Sequence, residues 1–152
     1  MPLPNIFSKE VSQQIIERIH NLSAETQPNW GTMNVAQMMA HCNVTYDFVY
    51  TDKYPKPTGL KKFMIKLFAK KIVVSERPYP KNGRTANEFL VAAEQDFLTQ
   101  KERLTKHINQ VVAEGEATFE GRESHSFGPL KTVEWNNMFY KHLDHHLTQF
   151  GV

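Results

Sequence analysis

Apolar residues recur every three or four positions along nearly the whole chain, and this helical period constrains the fold more than any other feature. Residues 8–22 read as a first helix. Ser8 can cap its start, and Val11, Ile15, Ile16, Ile19 and Leu22 form one stripe. A loop with Pro28, Asn29 and Gly31 follows. Thr32 or Asn34 then caps a second helix running to about Thr51, with Val35, Met38, Met39, Cys42, Tyr46 and Val49 on one broad face. Pro55, Pro57 and Gly59 break it. Residues 60–73 form a short amphipathic helix, and 75–84, with Pro78, Pro80 and Gly83, read as loop. A long helix is expected over roughly 86–113, with Leu90, Ala93, Phe97, Leu104, Ile108 and Val111 on one side and Gly115 at its end. Residues 116–129 read as irregular, with one short extended piece around 117–119. Thr132 caps the last helix. Its inner face carries Trp135, Met138, Phe139, His142, His146, Gln149 and Phe150, and Gly151 follows in the C′ position.

Four amphipathic helices bury their stripes most simply as a bundle, so the expectation is one all-α domain over residues 1–152. The loop between helices one and two makes them antiparallel neighbours. The long connection between two and three permits a crossover and carries the short extra helix. No alternating run is long enough for a sheet. Hydrophobic residues at 40% exclude a disordered chain. The single cysteine, Cys42, excludes an internal disulfide and a cysteine-built zinc site. The opening residues lack a secretory pattern, and no stretch reaches the ~18 apolar residues of a spanning helix. These features point to a reducing compartment, most simply a bacterial-type cytoplasm.

The net charge of +2 hides an asymmetry: residues 53–84 hold ten Lys or Arg against one acid, Glu76. That segment carries 10 − 1 = +9, and the remainder 2 − 9 = −7. Within it Lys62, Lys66 and Lys70 fall on one line, while Leu60, Phe63, Met64, Leu67 and Phe68 cover another side. Such a helix suits an anionic membrane surface, an acidic partner or an anionic substrate. The simpler reading, adopted here, is a crossover helix that packs its apolar face on the bundle and leaves its lysines in water. No membrane partner is then expected. Nucleic-acid binding is not expected either, because no reading motif is present.

The most informative stretch is 141–150. His142 and His146 are four apart, so both imidazoles point to the same side of a helix, toward the interior. Two buried imidazoles need partners, and one metal ion satisfies both. The alternative is a satisfied core pair. His145 is rotated to the edge, and Asp144 points nearly the opposite way. Leu143 stands where a zinc peptidase has its Glu, so no general base is built in beside the pair. The candidates for a third ligand are His20, His41, His107 and His125. His41 is best placed, in the middle of an apolar helix. His20 suits a helix C-terminus, His107 a solvated face, and His125 lies in a loop. Thr45, Tyr46 and Gln149, about one turn from the histidines, are candidate pocket groups whose simpler role is helix packing; Cys42 reads as a small core residue.

Trp30, followed by a cap and the run Val35, Ala36, Gln37, Met38, Met39, Ala40, His41, resembles the second-helix motif of the DinB-like superfamily. The ending from His142 through His145 and His146 to Leu147, Thr148, Gln149, Phe150 and Gly151 resembles its last-helix motif. The tail from Phe127 through Trp135 to Tyr140 and His142 is similar to one subfamily of unassigned function. The resemblance implies a four-helix bundle in up-down-down-up order and a frequent homodimer. It implies a divalent metal, zinc or nickel, on three histidines, which carry over as His41, His142 and His146. It also implies a hydrolase, or a transferase using a low-molecular-weight thiol, acting on a small-molecule substrate. Three neutral imidazoles leave a metal its full charge. An open position lowers the pKa of water to about 7 on zinc or deprotonates a thiol. The competing reading is a non-enzymatic bundle that binds a metal or a small ligand.

Overall fold

The computed structural model describes residues 2–152. It is predominantly α-helical, with one two-stranded hairpin among the described residues. Helix α1 (Lys9–His20) begins where the Ser8 hydroxyl accepts from the Val11 N–H, and it buries Ile15, Ile16 and Ile19. Helix α2 (Val35–Tyr50) is capped by Asn34 in a reciprocal box: the Asn34 side chain accepts from Gln37 N–H, and the Gln37 side chain from Asn34 N–H. Nearly every residue from Val35 to Asp47 is buried, so α2 is the most enclosed helix of the fold.

The crossover is two helices, α3 (Gly59–Phe68) and α4 (Lys70–Val74), rather than one over 60–73, with the break at Ala69. Helix α5 (Phe97–Glu114) starts at Phe97, not near residue 86. The Asp96 carboxylate accepts from Thr99 N–H and sets the start there. Before it lies a 3-10 turn, Asn87–Phe89, and Leu90 is exposed rather than on a buried stripe. The expectation of no sheet is also corrected. Strands β1 (Arg122–Ser124) and β2 (Gly128–Leu130) form an antiparallel hairpin, too short to show as alternation. Residues 117–119 are helical, inside the 3-10 turn Glu116–Phe119. Helix α6 (Thr132–Gln149) has Thr132 as its first residue, not its cap. The Thr132 N–H and hydroxyl both donate to Glu120 at 2.8 Å.

Helix α1 packs on α5 and α6, and α2 packs on α5 and α6; α1 and α2 are not principal neighbours. The fourteen residues from Asn21 to Asn34 are enough to carry the chain past an adjacent position. Aromatic rings fill the centre: Phe139 stacks on Tyr46 with centroids 5.3 Å apart and on Trp135 at 5.5 Å. Burying one such ring contributes about 1.5–3 kcal/mol, and this core fixes α6 against α2 just before the histidines. No helix is long and apolar enough to cross a membrane among the described residues.

Candidate metal centre

The four-residue spacing on α6 turns His142 and His146 toward α2, where His41 faces them from a fully enclosed stretch. One ring nitrogen from each of the three lies within 4.8 Å of the others. Burial pushes all three imidazoles toward the neutral form. It lowers His41, holds His142 well below the ordinary range, and takes His146 down to about 3. Neutral imidazole is the form in which histidine can bind a metal ion.

The hydrogen bonds fix which nitrogen is free. His41 Nδ1–H donates to the Phe89 carbonyl at 2.9 Å, which leaves its Nε2 with a lone pair. Gln149 Nε2 donates to the Trp30 carbonyl at 2.7 Å, so its oxygen accepts from His146 Nδ1–H at 2.7 Å. Again Nε2 is left free. His142 is the adaptable member. Its Nε2 is 2.8 Å from His41 Nε2, and its Nδ1 is 2.9 Å from the Thr45 hydroxyl. With His41 Nε2 an acceptor, His142 Nε2 donates and Thr45 donates to Nδ1. A hydroxyl also accepts, so Thr45 equally holds the tautomer with the lone pair on Nε2. Partners of this kind are what metal-ligating histidines need on their far side. Zinc–nitrogen distances of ~2.0–2.1 Å in a tetrahedral site put two ligand nitrogens about 3.3 Å apart. A pair at the wide end of the observed range, 4.8 Å, closes by about 1.5 Å when an ion is held. Three neutral imidazole nitrogens are a donor set that a divalent ion accepts.

The groups that orient the histidines come from loops. Were residues 86–113 one helix, the Phe89 carbonyl would be committed to the N–H four residues on. The late start of α5 frees it for His41. Gly31 (φ +84°) passes so close to Gln149 that a Cβ there would lie 2.6 Å from the Gln149 amide nitrogen. Glycine at this position is thus part of how His146 is oriented.

A cavity of about 980 Å³ opens beside the three rings, walled by Trp30, Phe48, Tyr79, Phe89 and Ile65. His145 sits at its edge against Trp30 and Tyr79, as its rotation predicts. Asp144 points away and pairs with Arg18 at 2.8 Å. Neither His20 nor His107 joins the cluster. His20 is exposed at the end of α1. His107 is half-buried rather than solvated, stacked on Tyr46 at 5.1 Å and bonded to Asn43. His125 lies on the cavity wall, stacked on Phe48 at 3.9 Å. Its Nε2–H donates to the Tyr54 carbonyl, so its Nδ1 accepts from the Ser126 hydroxyl at 2.7 Å. Thr45 and Gln149 exceed the packing role first expected of them, while Tyr46 is core. The Cys42 thiol is buried and held protonated by desolvation.

One family's sequence profile, described as a protein of unknown function, DUF1569, matches residues 8–151. The chain belongs to the DUF1569 family. No curated protein and no solved structure matches it. The DUF1569 span holds the three clustered histidines together with Gly31, Thr45, Phe89 and Gln149.

Proposed function

We propose that this chain is a DinB-like four-helix bundle, in up-down-down-up order, in which His41, His142 and His146 hold a divalent zinc or nickel ion. We further propose that it is a metal-dependent hydrolase or a thiol-dependent S-transferase for a small molecule, working as a cytoplasmic homodimer. One observation carries the metal reading. Nδ1 of each histidine has its own partner, while a second nitrogen of each is directed into one small volume. A merely satisfied core triad needs no such division of labour.

Bound there, the ion supplies Lewis acidity. Thr45, Gln149 and the Phe89 carbonyl keep the rings aimed, the Trp30 carbonyl holds Gln149, and Gly31 leaves room for it. Trp30, Tyr79 and Phe89 place apolar ring faces on the cavity wall beside the site, and a wall of low polarity strengthens charge interactions there. The cavity volume suits a small substrate.

The test is an assay of zinc- and nickel-loaded protein on activated esters, and on electrophiles offered with a panel of small thiols. Turnover that requires metal and disappears in His142→Ala is expected. Turnover that survives His142→Ala, or inert loaded protein on both panels, would contradict the enzymatic reading and leave a metal- or ligand-binding bundle.

A further inference from the structure

Helix α3 does not pack its apolar face on the body of the protein. None of its residues is buried. Leu60 is 75% exposed, Phe63 59%, Leu67 58% and Phe68 63%, and Met64 lies on the same outward face. The expectation of a crossover helix with a covered apolar face is therefore corrected. The opposite side of α3, with Lys61 and Ile65, lines the cavity, and that contact turns the larger apolar residues outward.

The charges differ around the helix. Lys62 pairs with Glu123 at 3.4 Å, and on α4 Lys70 pairs with Glu134 at 3.2 Å, which ties the crossover to the hairpin and to α6. Lys56, Lys61 and Lys71 enter no ion pair among the described residues. The patch thus sits in a segment of net charge +9, with free ammonium groups around an apolar strip.

We propose that the outward face of α3 is a docking surface for an anionic lipid bilayer. A single convex helix face with aromatic and aliphatic side chains suits a flat interface, where the rings enter the acyl boundary and lysines meet headgroup phosphates. Charge complementarity favours this occupant over a second copy. A two-fold contact sets a surface against itself, and here that brings one +9 segment against another. The inference is independent of the metal reading.

The experiment is co-flotation of the full chain with phosphatidylglycerol-containing or pure phosphatidylcholine vesicles, at low and at half-molar salt. The Phe63→Gln/Leu67→Gln variant tests the apolar strip, and Lys56→Gln/Lys71→Gln tests the charge. None of these four side chains lines the histidine cavity, and circular dichroism checks the fold. Binding to the anionic vesicles at low salt is expected, weakened at least tenfold by salt and by the apolar variant, less so by the lysine variant, with none on phosphatidylcholine. Failure to bind anionic vesicles at low salt would overturn the proposal. So would binding that the apolar variant leaves intact, which would reduce it to charge alone. A wild-type dimer in light scattering that this variant dissociates would overturn it too, and make the occupant a second copy.

Discussion

Helices α6 and α3 carry amphipathic patterns of the same period, yet one buries its stripe and the other displays it. On α6, Trp135, Phe139, Leu143 and Leu147 are enclosed, and the His142 and His146 imidazoles between them are matched by Thr45 and Gln149. On α3, five large apolar side chains face outward while lysines reach back to Glu123 and the cavity. A periodic stripe states that a helix has an apolar face. It does not state what that face meets, because the answer depends on which neighbours arrive first. Helix α6 meets α1, α2 and α4; α3 meets principally α4.

The comparison breaks first under a core truncation. Phe139→Ala removes the ring stacked between Tyr46 and Trp135 and should cost about 3–5 kcal/mol in denaturant unfolding. A loss below about 1 kcal/mol would mean that α6 is not packed as described.

Metal should stabilise the folded chain through the histidine end. At a hundredfold excess over its dissociation constant, an ion specific for the folded state adds about 2.7 kcal/mol. For a chain of this size that raises the melting temperature by about 5–10 °C. In the metal-free protein the same histidines create a pH dependence. His146 takes a proton near pH 6.5 when unfolded but only at about 3 when folded. The unfolded state then binds more protons between those values, so stability falls as pH drops from about 6.5 toward 3. Thermal unfolding across pH 4–8 checks the direction, and saturating zinc should shift the profile upward.

Smaller effects sharpen the contrast. Thr45→Val keeps the shape but removes the partner of His142 Nδ1, and should weaken metal affinity about 10- to 100-fold in a competition titration. Affinity unchanged would show that Thr45 only packs. Leu67→Gln on α3 should alter unfolding free energy by no more than about 0.5 kcal/mol, because that side chain is exposed.

Much of the histidine end was legible in the chain. The spacing of His142 and His146 fixed their common direction, and the apolar run around His41 marked its helix as enclosed. Asn34 and Gln37 are a readable capping pair. The orienting groups were less visible. A threonine or glutamine one turn from a ligand looks the same whether it packs or bonds to an imidazole. The Phe89 carbonyl has no side-chain signature at all. Gly31 reads as an ordinary loop glycine until Gln149 arrives beside it. The start of α5 was misplaced because apolar residues continue in helical register before Asp96, and the period outweighed the cap. The outward face of α3 was misread for the reason given above.

The central claim is that His41, His142 and His146 form one metal centre. Elemental analysis of protein purified without a metal-affinity step, beside the His142→Ala/His146→Ala variant, tests it most directly. Near-stoichiometric zinc or nickel in the wild type, lost in a variant that remains folded, is the predicted result. No bound ion in either protein after reconstitution with both metals, or equal metal in both, would contradict it.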